Sequence, residues 1–278
     1  MTSLFDRLKR DAAPEWAAYV DHEFVRGLGD GSLPAESFRH YLVQDYLFLI
    51  EFARAYAIGV YKAPNLLEMR KAAAGVEAIL AETNLHLTLC AGWGLDAAAI
   101  EQAPSARATI AYTRFVQEAG LRGDMLDLVV ALSPCVVGYA EIGTALAAGT
   151  SPRAAADHPY AAWIDEYAGA AYQAIAAESL EQIDRLARDY LTEARYPRLL
   201  ETFRQAASML QLALILKMDG IDPASLAPKS PKAVTLVVPM RTATLDAIRR
   251  LAKEAGEDAP EMAAARILES WMRDNGLI

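Results

Sequence analysis

The chain has 278 residues, a net charge of -9 and a pI near 5.0, with 54% apolar and 23% charged residues. That length sets one large domain, or one domain with a small appendage. An acidic body repels phosphate backbones and anionic lipid, so nucleic-acid and membrane binding are not expected of it. Two cysteines, Cys90 and Cys135, are too few for a disulfide framework and fit a reducing cytoplasm.

The opening stretch MTSLFDRLKRDAAPEW has no signal-peptide core, and no apolar run of membrane length interrupts the chain. From residue 36 to 61 apolar residues recur at three- and four-residue steps, which predicts a helix. The same period runs from 65 to 94 and stops on glycines. Further helices are predicted at 106–119, 123–148, 153–176, 178–193 and 196–218. The turn sequences GDGSLP, KAPN, GTSP and MDGIDP punctuate them. The period therefore predicts an all-α bundle of seven or eight helices over residues 1–219. Residues 220–232, with Pro223, Pro228 and Pro231, read as a linker. Residues 233–278 differ again: AVTLVVPM is a strand pattern, followed by two short helices. So small an extension buries little core alone, so it is expected to pair with another copy or dock on the body.

Three features stand out for chemistry. In SPCVVGYAEIG, Cys135 and Tyr139 are four residues apart and share a helix face. A free cysteine in such surroundings is either an inert core filler or a nucleophile. Asp45 lies in the otherwise apolar stretch VQDYLFLIEF, where a carboxylate is costly unless partnered. Glu82 and His86 have an i, i+4 spacing that two metal ligands could use. The chain has only four histidines, and residues 178–218 contain none. An interhelical hydrogen bond from His86 is the better reading, His22 reads as structural, and neither a metal nor another cofactor is expected.

Four segments in order, DHEFVRGLGDGSLPAESFRHYLVQDYLFLIEFARAYA, ETNLHLTLCAGWG, SPCVVGYAEIG and HPYAAWIDEYAG, resemble the TenA family of thiaminase II or aminopyrimidine aminohydrolase proteins. The resemblance covers roughly residues 4–218. It implies a heme-oxygenase-like helical bundle, usually a homotetramer. It also implies hydrolysis of the exocyclic amine of 4-amino-5-aminomethyl-2-methylpyrimidine, a thiamine breakdown product. Carried over by position, Cys135 would be the nucleophile and Asp45 would bind the pyrimidine's amino group and ring nitrogen. Phe48, standing where the family commonly has tyrosine, would line the pocket with Tyr112, Tyr139 and Tyr167. Tyr160 and Trp163 read as packing residues.

One departure matters. The family carries a catalytic glutamate on the last helix, followed by an aromatic pair. The corresponding stretch FRQAASMLQLALILKM has no carboxylate; its nearest match is Gln211, or Leu210 if the register shifts by one. Glutamine can hold a hydrogen bond but cannot move protons near neutral pH. Weak or altered hydrolysis is therefore expected, with pyrimidine or thiamine binding without turnover as the alternative. The tail resembles a ribbon-helix-helix module. Its 229–278 stretch carries eight basic and seven acidic residues, a net of +1, and presents no basic patch. Oligomerisation, as dimer or tetramer, is the favoured role and DNA binding is disfavoured.

Overall fold

The computed structural model describes residues 3–149 and 158–218. The chain divides into two compact units, Met1–Ala227 and Pro228–Ile278. The linker at 220–232 and the strand and helices read at 233–278 lie outside the described residues.

The described residues form eleven helices: α1 (Leu4–Asp11), α2 (Ala13–Val20), α3 (Glu23–Asp30), α4 (Ala35–Lys62), α5 (Leu66–Gly92), α6 (Ala97–Glu101), α7 (Arg107–Arg122), α8 (Met125–Ala148), α9 (Ala161–Ala168), α10 (Ala170–Tyr190) and α11 (Tyr196–Met218). The long helices fall where the apolar period put them. The short ones were missed because five to eight residues hold too few turns to show a period. Their caps were legible: Ser3 accepts from the Asp6 amide and Asp96 from the Ala99 amide. Gly31, at φ 79°, closes α3 in the left-handed region that glycine enters without strain. One break differs from expectation. It falls at Gly169, between α9 and α10, and not near residue 177. The run AIAAESLEQ consists largely of good helix formers and simply continues.

Helices α4 and α5 pack along each other, joined by only Ala63, Pro64 and Asn65. Helix α8 packs against α7, α9, α10 and α11. By length and composition α8 could cross a membrane, but 94% of its most apolar window is buried inside the bundle, the pattern of a core helix.

Two ion-pair clusters fix the frame. Glu68 at the start of α5 accepts from Arg185 Nε of α10 at 2.7 Å. At the start of α8, Asp124 and Asp127 form a capping box. Arg195 Nη2 donates to Asp127 at 2.7 Å, and Arg198 Nη2 donates to it at 2.8 Å. Asp127 is buried, so removing it takes one of two carboxylates from the half-buried Arg195, which keeps Asp124, and the reciprocal half of the capping box from α8. Asp127→Ala is predicted to cost about 2 kcal/mol in urea unfolding. A loss under about 1 kcal/mol would reduce the cluster to an ordinary surface pair.

Candidate active site

Helix α8 carries a proline in its middle, and the sequence around it repairs the damage. Pro134 has no N–H to give the Val130 carbonyl. The buried Ser133 hydroxyl donates to that carbonyl instead, at 2.9 Å. The next residue, Cys135, is 5% exposed. Tyr112 of α7 donates weakly to the Ala131 carbonyl at 3.4 Å and is also hydrogen-bonded to Cys135. The thiol therefore lies where α7 meets α8, with a phenol on it.

Tyr139 lies one turn further along α8 and meets the α9 aromatics. Its ring centroid is 4.9 Å from that of Tyr167 and 5.9 Å from Trp163. Tyr167 is held by backbone. A Cβ on Gly143 would fall 2.6 Å from the Tyr167 carbonyl carbon, so only glycine lets α9 approach α8 this closely. Gln173 of α10 then donates to the carbonyls of both Ala140 and Tyr167, at 2.9 and 2.8 Å.

Asp45 enters from α4 and is 7% exposed. Trp163 Nε1 donates to the Tyr41 hydroxyl at 3.1 Å, and that hydroxyl donates to Asp45 Oδ2 at 3.1 Å. His86 Nε2 donates to the Leu42 carbonyl at 2.8 Å, which leaves Nδ1 facing Asp45 Oδ2 at 3.7 Å, beyond hydrogen-bond reach. The interhelical role read for His86 is thus what its ring makes here. His22 caps α3, with Nδ1 accepting from the Phe24 amide. Phe48, half-buried, lies against Tyr112 at 5.8 Å and nearly parallel to it. Gln44 anchors the start of α7 by accepting from the Ala106 amide and the Thr109 hydroxyl, which fixes the helix carrying Tyr112.

The structure therefore brings Cys135, Asp45, Phe48, Tyr112, Tyr139 and Tyr167 to one aromatic centre. Gln211 stands apart from this pattern. The buried row of α11 is Leu199, Phe203, Ala206, Ala207, Leu210 and Leu214, and Gln211 lies half-buried at its edge. Leu210 occupies the inward position, and the row holds no carboxylate.

Burial, followed by charges that include Asp45, pushes the hydroxyl pKa values of Tyr41, Tyr139, Tyr167 and Tyr172 well above that of ordinary tyrosine. These phenols stay neutral donors. Cys90, fully buried, is pushed up to about 11 by burial and then Asp45, which disfavours its thiolate. Glu82 behaves differently from the other acids. It is half-buried on α5, one turn before His86, and burial, then Asp45 and Glu166, push it up to about 7. Its charge is felt in turn by Tyr167 and Tyr172. Among the described residues no three histidine, cysteine or acidic side chains form a metal-binding group.

Sequence reasoning missed several members. Tyr41 sits four residues before Asp45, a spacing that could have paired them. Trp163 was read as packing, but its indole N–H starts the chain that fixes Asp45. Glu82 was weighed only as a metal ligand; its burial against other acids has no local signature.

Fold and site together define a helical-bundle protein with a buried thiol centre walled by tyrosines. Residues 9–214 match the model of the TENA/THI-4/PQQC family, and the chain belongs to that family. It is 35% identical over 206 residues to an uncharacterized protein of Haemophilus influenzae, spanning 74% of this chain and 94% of the relative. It is 36% identical over 183 residues to an aminopyrimidine aminohydrolase of Halalkalibacterium halodurans, spanning 65% and 80%. A solved TenA family transcription regulator from Silicibacter superposes with a TM-score of 0.73 at 39% identity, covering 77% of this chain and 96% of that one.

The raised Glu82 has a signed consequence for stability. A carboxyl whose pKa rises from 4.5 to about 7 on folding holds its proton more tightly in the folded state. That stabilisation is complete below the unfolded value and is lost as pH rises through the window from 4.5 to 7. Glu82→Gln is predicted to melt above the parent at pH 8 and to draw level near pH 4. A difference of equal size at both pH values would contradict the assignment.

Proposed function

We propose that the chain hydrolyses the amine of a thiamine-derived aminopyrimidine, with Cys135 as the nucleophile. The observation that carries this reading is that the buried hydroxyls of Tyr19, Tyr139 and Tyr172 each feel both the Cys135 thiol and Asp45, the carboxylate fixed by Tyr41 and Trp163. The likeness to the Halalkalibacterium aminohydrolase supports the substrate class. In this reading a flat, electron-poor ring stacks on the aromatic faces that the Phe48/Tyr112 and Tyr139/Tyr167 pairs supply. Asp45 accepts from the ring's amino group.

The steps balance as follows. Glu82 takes the thiol proton, and Sγ adds to the ring carbon beside the one that bears the aminomethyl arm. Electrons shift outward, the carbon–nitrogen bond breaks, and the amine leaves as ammonia with the proton that Glu82 returns. Water then adds to the exocyclic methylene and gives its proton to Glu82. The ring carbon–sulfur bond breaks, and the proton returns to sulfur. A carboxyl with a pKa near 7 suits this shuttle, because it gives and takes protons with similar ease.

The apolar α11 row favours a second reading, ligand binding without turnover. Loss of a positioned acid–base group typically costs ~100- to 10,000-fold in rate, and Glu82 recovers only part of that in this account. The parent is predicted to release ammonia from 4-amino-5-aminomethyl-2-methylpyrimidine slowly. Cys135→Ser should abolish release while calorimetry shows the pyrimidine still bound within a few-fold of the parent's affinity. Binding by the parent with no ammonia at all would select the second reading. Equal ammonia release from both proteins would remove Cys135 as the nucleophile.

A further inference from the structure

Tyr19 of α2 is 1% exposed, yet its hydroxyl has no hydrogen-bond partner among the described residues. An unpaired buried hydroxyl costs about 1–3 kcal/mol, and buried tyrosines normally find a partner. A phenylalanine would fill the same space without that cost.

The ring is held firmly and aimed at the thiol helix. Trp16, one turn earlier, donates from Nε1 to Glu141 of α8 at 3.1 Å and stacks on Phe203 of α11 at 5.7 Å. Tyr19 meets Trp16 edge-on at 6.0 Å. On α8 it lies against Gly138: a Cβ there would fall 3.0 Å from the Tyr19 hydroxyl oxygen. Gly138 is three residues after Cys135 and next to Tyr139, so the glycine on which the Tyr19 ring lies shares a helix face with Cys135. Helix α2 also packs along α11, whose buried row offers no polar side chain. The Tyr19 hydroxyl is thus a buried, unpaired polar atom that α2 brings against α8. Burial first, and then the charges of Cys135 and Asp45, push its pKa well above the ordinary value, so it remains a neutral donor.

We propose that Tyr19 is a further substrate-contacting residue, whose hydroxyl donates a hydrogen bond to a ring nitrogen of a pyrimidine seated against Cys135. This inference rests on the pyrimidine reading of the site and deepens it. A hydrogen bond to the ring nitrogen draws electron density out of the ring, which favours addition of sulfur, and it relieves the orphaned hydroxyl only when ligand is bound.

Tyr19→Phe separates this role from packing. The variant should melt higher than the parent without ligand, since the unpaired hydroxyl is gone. In calorimetry it should bind 4-amino-5-aminomethyl-2-methylpyrimidine roughly five- to tenfold more weakly, the worth of one neutral hydrogen bond. A higher melting point with unchanged affinity would overturn the proposal, because the hydroxyl would then serve no ligand. A lower melting point would overturn it too, by revealing a structural partner. A parent that binds no pyrimidine would remove the functional reading and this inference together. A binding parent with an unchanged variant would remove Tyr19 alone.

Discussion

The burial of α8 is the constraint on which the rest depends. Its residues from Met125 to Ala140 are all buried, so every polar atom among them must be satisfied inside the bundle. The Ser133 hydroxyl answers the carbonyl that Pro134 leaves open, and Tyr112 answers both Ala131 and the thiol. Gln173 takes the Ala140 carbonyl and, with the same nitrogen, the Tyr167 carbonyl. The partners that satisfy α8 are therefore the side chains that build the site. Gly138 and Gly143 complete the pattern, because each lets a tyrosine-bearing helix come within contact of α8. Packing and chemistry share one set of residues here.

Much of this was legible in the sequence. The long helices announced themselves through their period, α8 among them at 123–148. Cys135 and Tyr139 shared a face by spacing alone. Asp45 was conspicuous as a carboxylate among apolar neighbours, and the structure supplies the partner that its burial demands in Tyr41. What was not legible depends on distant pairs. Trp163 reaches Tyr41 across 122 residues of chain. Tyr19 reaches Gly138 from the other end of the body. The protonation behaviour of Glu82 arises from burial and from Asp45 and Glu166, none of which a local window contains. The register of α11 could not be fixed either, since Leu210 and Gln211 both follow a plausible apolar row. The three-dimensional row puts Leu210 inward.

The buried row of α11 holds no carboxylate, and the proposed chemistry turns on that. Ordinary acid–base traffic from that side of Cys135 has no group to carry it. In the proposed reaction the aromatic walls and Asp45 hold the ring, and the tyrosines, kept neutral by burial, give and accept hydrogen bonds without taking the proton away. The proposed reaction takes its proton carrier from the α5 side, where Glu82 lies a turn from His86 and feels Asp45. In that reaction the rate follows the ionisation of Glu82, which burial, then Asp45 and Glu166, push up to about 7.

The pH dependence of ammonia release tests that link most directly. With Glu82 as the shuttle, kcat/KM for 4-amino-5-aminomethyl-2-methylpyrimidine should climb as pH rises through about 7, the value to which burial and Asp45 push this group. In Glu82→Gln that limb should vanish and the residual rate should be flat across the same range. A parent profile that is level through pH 7, or a variant that keeps the parent's limb, would contradict the account.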